Sequence, residues 1–154
     1  MVCDFHEDLD RGLMAEEKFR TLFPRLEKST VKEYDFTFLD KKIELKTEFR
    51  TMEETPNICF EMISNTTKGT LGGPFQSQSH GVDFFICFYI KNNKYFIFEV
   101  DELCTWIKEN YKQYGPQLKP NKGYYTKYVL IPRDDIMAIE YFHKKSHNIN
   151  LHEI

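Results

Sequence analysis

The segment YDFTFLDKKIELKTEF, Tyr34 to Phe49, alternates apolar and polar side chains on both sides of a polar turn. That period of two marks a β-hairpin with one face in a core. A two-residue or a four-residue loop within LDKK sets Asp35 opposite Lys46 and Thr37 opposite Glu44. Directly paired residues share a face, so Asp35, Glu44 and Lys46 emerge on one side and Phe36, Phe38, Ile43 and Leu45 on the other. A three-residue loop would spoil this partition, and the turn lacks the Asn-Gly or Asp-Gly pair that would fix its position. Strands that otherwise read as core thus carry three charges on one face.

A hairpin of this kind needs a core to lie on. At 154 residues, with 14 Phe, 9 Tyr and 41% hydrophobic side chains, the chain suits one globular domain over residues 1–154. Its longest apolar run, VDFFICFYI, is about half of the roughly 20 residues that a membrane-spanning helix needs. The start, MVCDFHEDLDRG, is acidic rather than signal-like, so no membrane association and a cytoplasmic setting are expected. Cys3, Cys59, Cys87 and Cys104 form no C-x-x-C pair, which points to reduced thiols rather than a zinc knuckle or an iron–sulfur cluster. A net charge of −3 argues against a generic nucleic-acid coat, although an enzyme needs only a local basic path.

Along the chain, residues 10–27 predict a helix, with Leu13, Ala15, Phe19, Leu22, Phe23 and Leu26 on one side and Glu16 at the stripe's edge. Strands are expected over residues 31–39 and 42–49, with NICFEMIS as the third. Gly72-Gly73-Pro74 marks a break, and Pro74 suits the start of a short helix through Ser79. VDFFICFYI and KYFIFEV pair around KNN, a helix follows over residues 101–111 with Asp101 as cap, and YYTKYVLIP is a late strand. DDIMAIEYFHK reads equally as helix or strand. The order means a mixed α/β domain.

Two carboxylates held together with no arginine between them repel each other, and a divalent cation between their oxygens relieves the repulsion. Magnesium accepts one or two carboxylates, keeps several waters and takes phosphate oxygens, with Mn2+ as its substitute. Lys46 beside such a cluster can orient or help deprotonate a water, or stabilise charge on a phosphate. This set of residue types is that of a phosphodiester-cleaving site.

Asp35 on one strand and ELK, Glu44 to Lys46, on the next resemble the PD-(D/E)XK nucleases. Many members also carry a helix glutamate in a Gly-x-x-x-Glu pattern, matched here by GLMAE, Gly12 to Glu16. GGPFQSQSHGVDFFICFYI is similar to a segment of phage and mobile-element members. The resemblance covers roughly Leu9 to Ile107 and departs from the pattern in placing Tyr34, not proline, before Asp35. It implies a restriction-endonuclease-like α/β core of αβββαβ order, a central mixed β-sheet flanked by helices. It also implies an Mg2+-dependent endonuclease that hydrolyses DNA to 5′-phosphate products. Glu16, Asp35 and Glu44 would gather metal and Lys46 would position the attacking water. Homing, phage or restriction-type activity is expected, with a junction resolvase or a noncatalytic nucleic-acid-binding module of the same fold as alternatives. A homodimer or homotetramer would supply the second active site for cutting both strands.

Each feature also has a plainer reading. Asp35 and Lys46 suit an ordinary cross-strand ion pair worth ~0.2–1 kcal/mol on a solvated face. Glu48 continues the charged face past the cluster, and Glu61 either supports the site from the third strand or pairs with a lysine. Gln76, Ser77, Gln78, Ser79 and His80 suit phosphate contacts or an ordinary polar loop. Lys119 and Lys122, with Lys112 and Lys127 and interleaved Tyr114, Tyr124 and Tyr125, suit a backbone-gripping loop or a solvated one. Asp83 anchors its strand, and His143 and His147 have a zinc-compatible spacing without a partner to complete a site. The acidic HEDLD complements the first helix's dipole.

Overall fold

The computed structural model describes residues 5–148, with side chains placed over 10–145. Cys3 and the side chains of His147 and residues 6–9 lie outside the described part. In chain order the elements are α1 (Phe5–Leu22), β1 (Glu27–Lys28), β2 (Phe36–Phe38), β3 (Lys41–Glu48), β4 (Asn57–Asn65), β5 (Thr70–Leu71) and α2 (Gly73–Ser79). Then follow β6 (Phe84–Tyr89), β7 (Lys94–Glu99), α3 (Val100–Asn110), β8 (Gln117–Pro120), β9 (Tyr125–Pro132), α4 (Arg133–Ile136) and α5 (Tyr141–Asn148). No helix among the described residues is long and apolar enough to cross a membrane.

The strands form two sheets. One has the order β1-β2-β3-β6-β7, the other β5-β4-β9-β8. In the first, β6 lies parallel to β3 while the other pairs are antiparallel, so this is a mixed sheet. The apolar run FFICFY explains the interior place of β6, between β3 and β7, because a parallel strand covered on both faces needs apolar side chains on both. One face packs on α1, where Ala15 and Phe19 meet Phe36, Ile43, Ile86 and Phe88. The other carries Phe85, Cys87 and Phe98 against Ile58 and Phe60 of β4, Val129 and Ile131 of β9, and Leu103 and Ile107 of α3. Each such buried side chain contributes roughly 1.5–3 kcal/mol.

The structure revises several expectations. α1 ends at Leu22, not at residue 27, because Pro24 lacks the N–H that a helix interior requires. NICFEMIS does not join the hairpin's sheet: β6 occupies the free edge of β3, and β4 pairs instead with β9 from Asn57↔Pro132 onward. The lysine-rich stretch expected as a loop contains β8, an edge strand that ends at Pro120, where a missing N–H costs no ladder bond. The DDIMAIEYFHK segment is helical, as α4, a 3-10 turn over Met137–Ile139 and the start of α5. Asp101 lies within the first turn of α3, and the cap position is Glu99, with no side-chain cap bond.

The expected break at Gly72 and Gly73 has a steric cause. Gly73 has φ 49°, and a Cβ there would stand 2.6 Å from the Glu61 carbonyl oxygen, so only glycine lets α2 lie this close to β4. Asp83 does anchor its strand: its Oδ2 accepts the Lys42 N–H at 2.9 Å, and its own N–H donates to the Lys42 carbonyl. At the far edge, buried Glu140 accepts the Ile97 N–H of β7 at 2.9 Å and the His143 N–H at 2.8 Å, holding α5 to the sheet. Cys59, Cys87 and Cys104 are free thiols.

Candidate functional site

The hairpin turns one residue earlier than the sequence suggested, which shifts the partner of each β2 residue by two. Leu39 and Asp40 both have positive φ, 46° and 65°, so they form the two-residue turn between Phe38 and Lys41. The register is Phe36↔Ile43 and Thr37↔Lys42, which puts Asp35 level with Glu44 rather than with Lys46. A slip of two residues preserves the parity of every side chain, so the division of the hairpin into an apolar and a charged face survives the change of partner.

β2 peels away from β3 just before Phe36, and Asp35 fills the gap. Its N–H donates to the Ile43 carbonyl at 2.9 Å, and its Oδ2 accepts the Leu45 N–H at 2.8 Å, continuing the ladder with a side chain. From α1, Glu16 hydrogen-bonds the Asp35 carboxylate. Glu44 of β3 feels the negative charge of both. Carboxyl groups from α1, from the bend before β2 and from β3 are thus brought together.

Their protonation reflects the crowding. Burial, the hydrogen bond to Asp35 and the Asp35 charge push the Glu16 carboxyl up to about 7. Burial pushes Glu44 up to about 8, with the charges of Asp35 and Glu16 adding to it. Asp35 is also raised by burial, against the opposing pull of the Leu45 N–H, Glu16 and Lys28. The arrangement holds protons near neutral pH that isolated carboxyls would have lost. Lys46, two residues beyond Glu44 on β3, extends toward the second sheet, its Nζ 5.7 Å from the Phe60 ring centre.

No family model, curated protein or solved structure matches the chain. Its chemistry is therefore read from the side chains themselves. Among the described residues, no group of three or more His, Cys, Asp or Glu is already arranged to hold a metal ion. Glu16 and Asp35 bind each other instead.

The remaining candidates lie apart from this cluster. Glu48 pairs with Arg50, Oε1 to Nε at 3.0 Å, and although burial pushes its carboxyl up, the Arg50 contacts outweigh that and hold it below its ordinary value. Glu61 is exposed, on the side of β4 opposite Phe60 and against Gly72. On α2, Gln78 Nε2 donates to Asp101 at 3.0 Å, Ser79 Oγ donates to the Gln76 carbonyl, Ser77 is buried and His80 ends the helix. The Gln78–Asp101 bond joins α2 to α3. Lys119 and Lys122 are exposed on and after β8, the outermost strand of the second sheet. Lys127 stacks on Tyr111, with its Nζ 5.2 Å from the ring centre.

One contributor escaped the sequence reading. Lys28 on β1 pairs with Phe36 of β2, and its charge lowers the proton affinity of both Glu16 and Asp35. No motif marks it. Only the β1–β2 pairing, which brings Lys28 level with the residue after Asp35, could have revealed it.

Proposed function

We propose that the chain is a metal-dependent endonuclease that hydrolyses DNA phosphodiester bonds, of a homing, phage or restriction type, with a junction resolvase as the alternative substrate choice. One observation carries the reading: Glu16 of α1, Asp35 of the bend before β2 and Glu44 of β3 interact with one another, with Lys46 two residues beyond Glu44 on β3. A mixed sheet in which β6 lies parallel to β3, with α1 packed on one face, is compatible with a restriction-endonuclease-like core, although the strand expected third, β4, lies in the second sheet.

The donor chemistry, carboxylate oxygens alone, suits a hard divalent cation such as Mg2+, for which Mn2+ would substitute. Its ligands are carboxylate oxygens, and the protons that Glu16 and Glu44 hold near neutral pH are what such a cation would displace. Asp35, Glu44 and Glu16 would hold it, and when bound it would polarise the scissile phosphate and lower the pKa of a water. The chain's own part is positional. The Leu45 N–H fixes the Asp35 carboxylate, β3 carries Glu44 and Lys46 on one face, and the Lys46 ammonium is free of ion pairs among the described residues, available to orient the attacking water or offset phosphate charge. The products would be a 5′-phosphate and a 3′-hydroxyl, and the enzyme would work in the cytoplasm.

The second reading is a noncatalytic nucleic-acid-binding module, and the Glu16–Asp35 hydrogen bond, which closes these carboxyls on each other, favours it. Mg2+-dependent nicking of supercoiled plasmid and of a four-way junction separates the two. Cutting by the wild type that is lost in Lys46→Ala and Glu44→Gln supports the nuclease. Cutting that survives both substitutions removes these residues from the site, and absence of both cutting and Mg2+ binding favours the module.

A further inference from the structure

On the α1 side of the five-stranded sheet, an apolar groove of about 420 Å3 opens between the end of α1, the β2–β3 hairpin and α5. Phe23, Leu26, Phe38, Ile97 and Tyr141 are among its lining side chains, and Arg25 and Lys41 are the cations on it. Neither cation has an ion pair or a side-chain hydrogen bond among the described residues. Phe38 and Lys41, which line the groove, also flank the hairpin turn. The turn presents Leu39, 79% exposed, followed by Asp40.

Leucine is the anomaly here. A two-residue turn with positive φ at both positions favours Asn-Gly, and Leu39 at φ 46° is in a region that side chains with a Cβ avoid. Neither turn stability nor packing within the chain accounts for a strained, solvent-facing leucine. Contact with another molecule does account for it. Because the projecting apolar side chain and the apolar hollow adjoin on one surface, a two-fold axis beside the hairpin makes the patch self-complementary. The charges agree, since Asp40 follows the knob and Arg25 and Lys41 lie at the hollow.

We propose that this face is the interface between two copies of the chain, in which Leu39 of each copy enters the apolar groove of the other and Asp40 meets Arg25 and Lys41 of that copy. The inference does not rest on the nuclease reading, because the groove lies on the sheet face opposite Lys46.

Sedimentation equilibrium across micromolar concentrations tests it. The wild type gives twice the 18.5 kDa chain mass. Leu39→Asn, which suits the turn better, weakens association on the order of 100-fold, since two leucines leave the symmetric interface, while its Tm at concentrations where both proteins are monomeric is unchanged or higher. Asp40→Arg and Arg25→Asp each weaken self-association, and their mixture restores it, because both opposite-charge contacts then form between unlike chains. A wild type that stays monomeric overturns the proposal. So does a dimer indifferent to Leu39→Asn and to the charge exchange, or a monomer whose native mass spectrum carries a small amphipathic molecule in the groove.

Discussion

The Leu45 N–H and the Asp35 carboxylate meet at 2.8 Å, with a side chain standing where a strand carbonyl would otherwise accept. Asp35 thus has a structural duty, and under the proposed function a chemical one as well. The carboxylate that would bind a cation is also the group that closes the β2–β3 ladder. Asp35→Ala leaves a half-buried N–H without its partner and costs about 1–3 kcal/mol, partly offset by relief of carboxyl repulsion. Asp35→Asn keeps an acceptor and removes a charge, so urea unfolding at pH 8 should show it at least as stable as the wild type. Nicking should be lost in both variants.

Stability should fall as pH rises above the ordinary glutamate range. The folded chain holds the Glu44 proton up to about 8, whereas the unfolded chain releases it near 4.5. Between those values the native state binds more protons than the unfolded state. Its advantage is therefore fully present below 4.5 and is lost as pH climbs through 8, at no more than roughly 1.4 kcal/mol per pH unit. Glu16, raised to about 7 but more exposed, adds a smaller decline over a narrower window. Urea unfolding from pH 5 to 9 measures this slope, and Glu44→Gln should flatten it and be the more stable protein at pH 8.5.

Added Mg2+ should reverse that decline. A cation binding only the folded carboxylates stabilises by about 2.7 kcal/mol at 100 times its Kd, and proton competition makes the gain larger at pH 8 than at pH 6. Thermal melts with Mg2+ and with EDTA should show this difference in the wild type and lose it in Glu44→Gln. An equal shift in both proteins would place the cation elsewhere.

Lys46→Met tests chemistry against packing. The apolar stem stays against Phe60, so the loss is limited to the ring contact, about 0.5–1 kcal/mol. Nicking should fall far more, on the order of 100-fold or beyond, if the ammonium works in the reaction. Comparing Tm with the single-turnover cutting rate separates the two contributions.

Glu140 provides a check on the fold away from the site. It accepts N–H groups from both β7 and α5 while buried, so Glu140→Ala orphans two donors and should cost about 2–4 kcal/mol. Hydrogen exchange at Ile97 and His143 should rise together in this variant.

Side-chain parity along the hairpin was readable from the sequence, because alternation is local and survives any even slip of register. Glu44 and Lys46 therefore share a face although the turn moved from its expected place, while Asp35, just before β2, turns its carboxylate to the Leu45 N–H. The break at Gly72 and Gly73, the β6–β7 pair and the amphipathic α1 were legible for the same reason: backbone freedom and hydrophobic period act within a few residues. Local alternation thus set the two sides of β3 and β6, whereas Leu13, read as part of the apolar stripe of α1, is exposed.

Which element neighbours which was decided by the tertiary structure. β3 had one open edge, and β6, apolar on both faces, took it, sending β4 to a second sheet with β9. The approach of Glu16 to Asp35, the nearness of Lys28 and the departure of Glu61 from the site follow from that placement. Pairing across long stretches of chain is chosen by the total apolar surface it removes from water, a sum over the whole fold that no local segment contains.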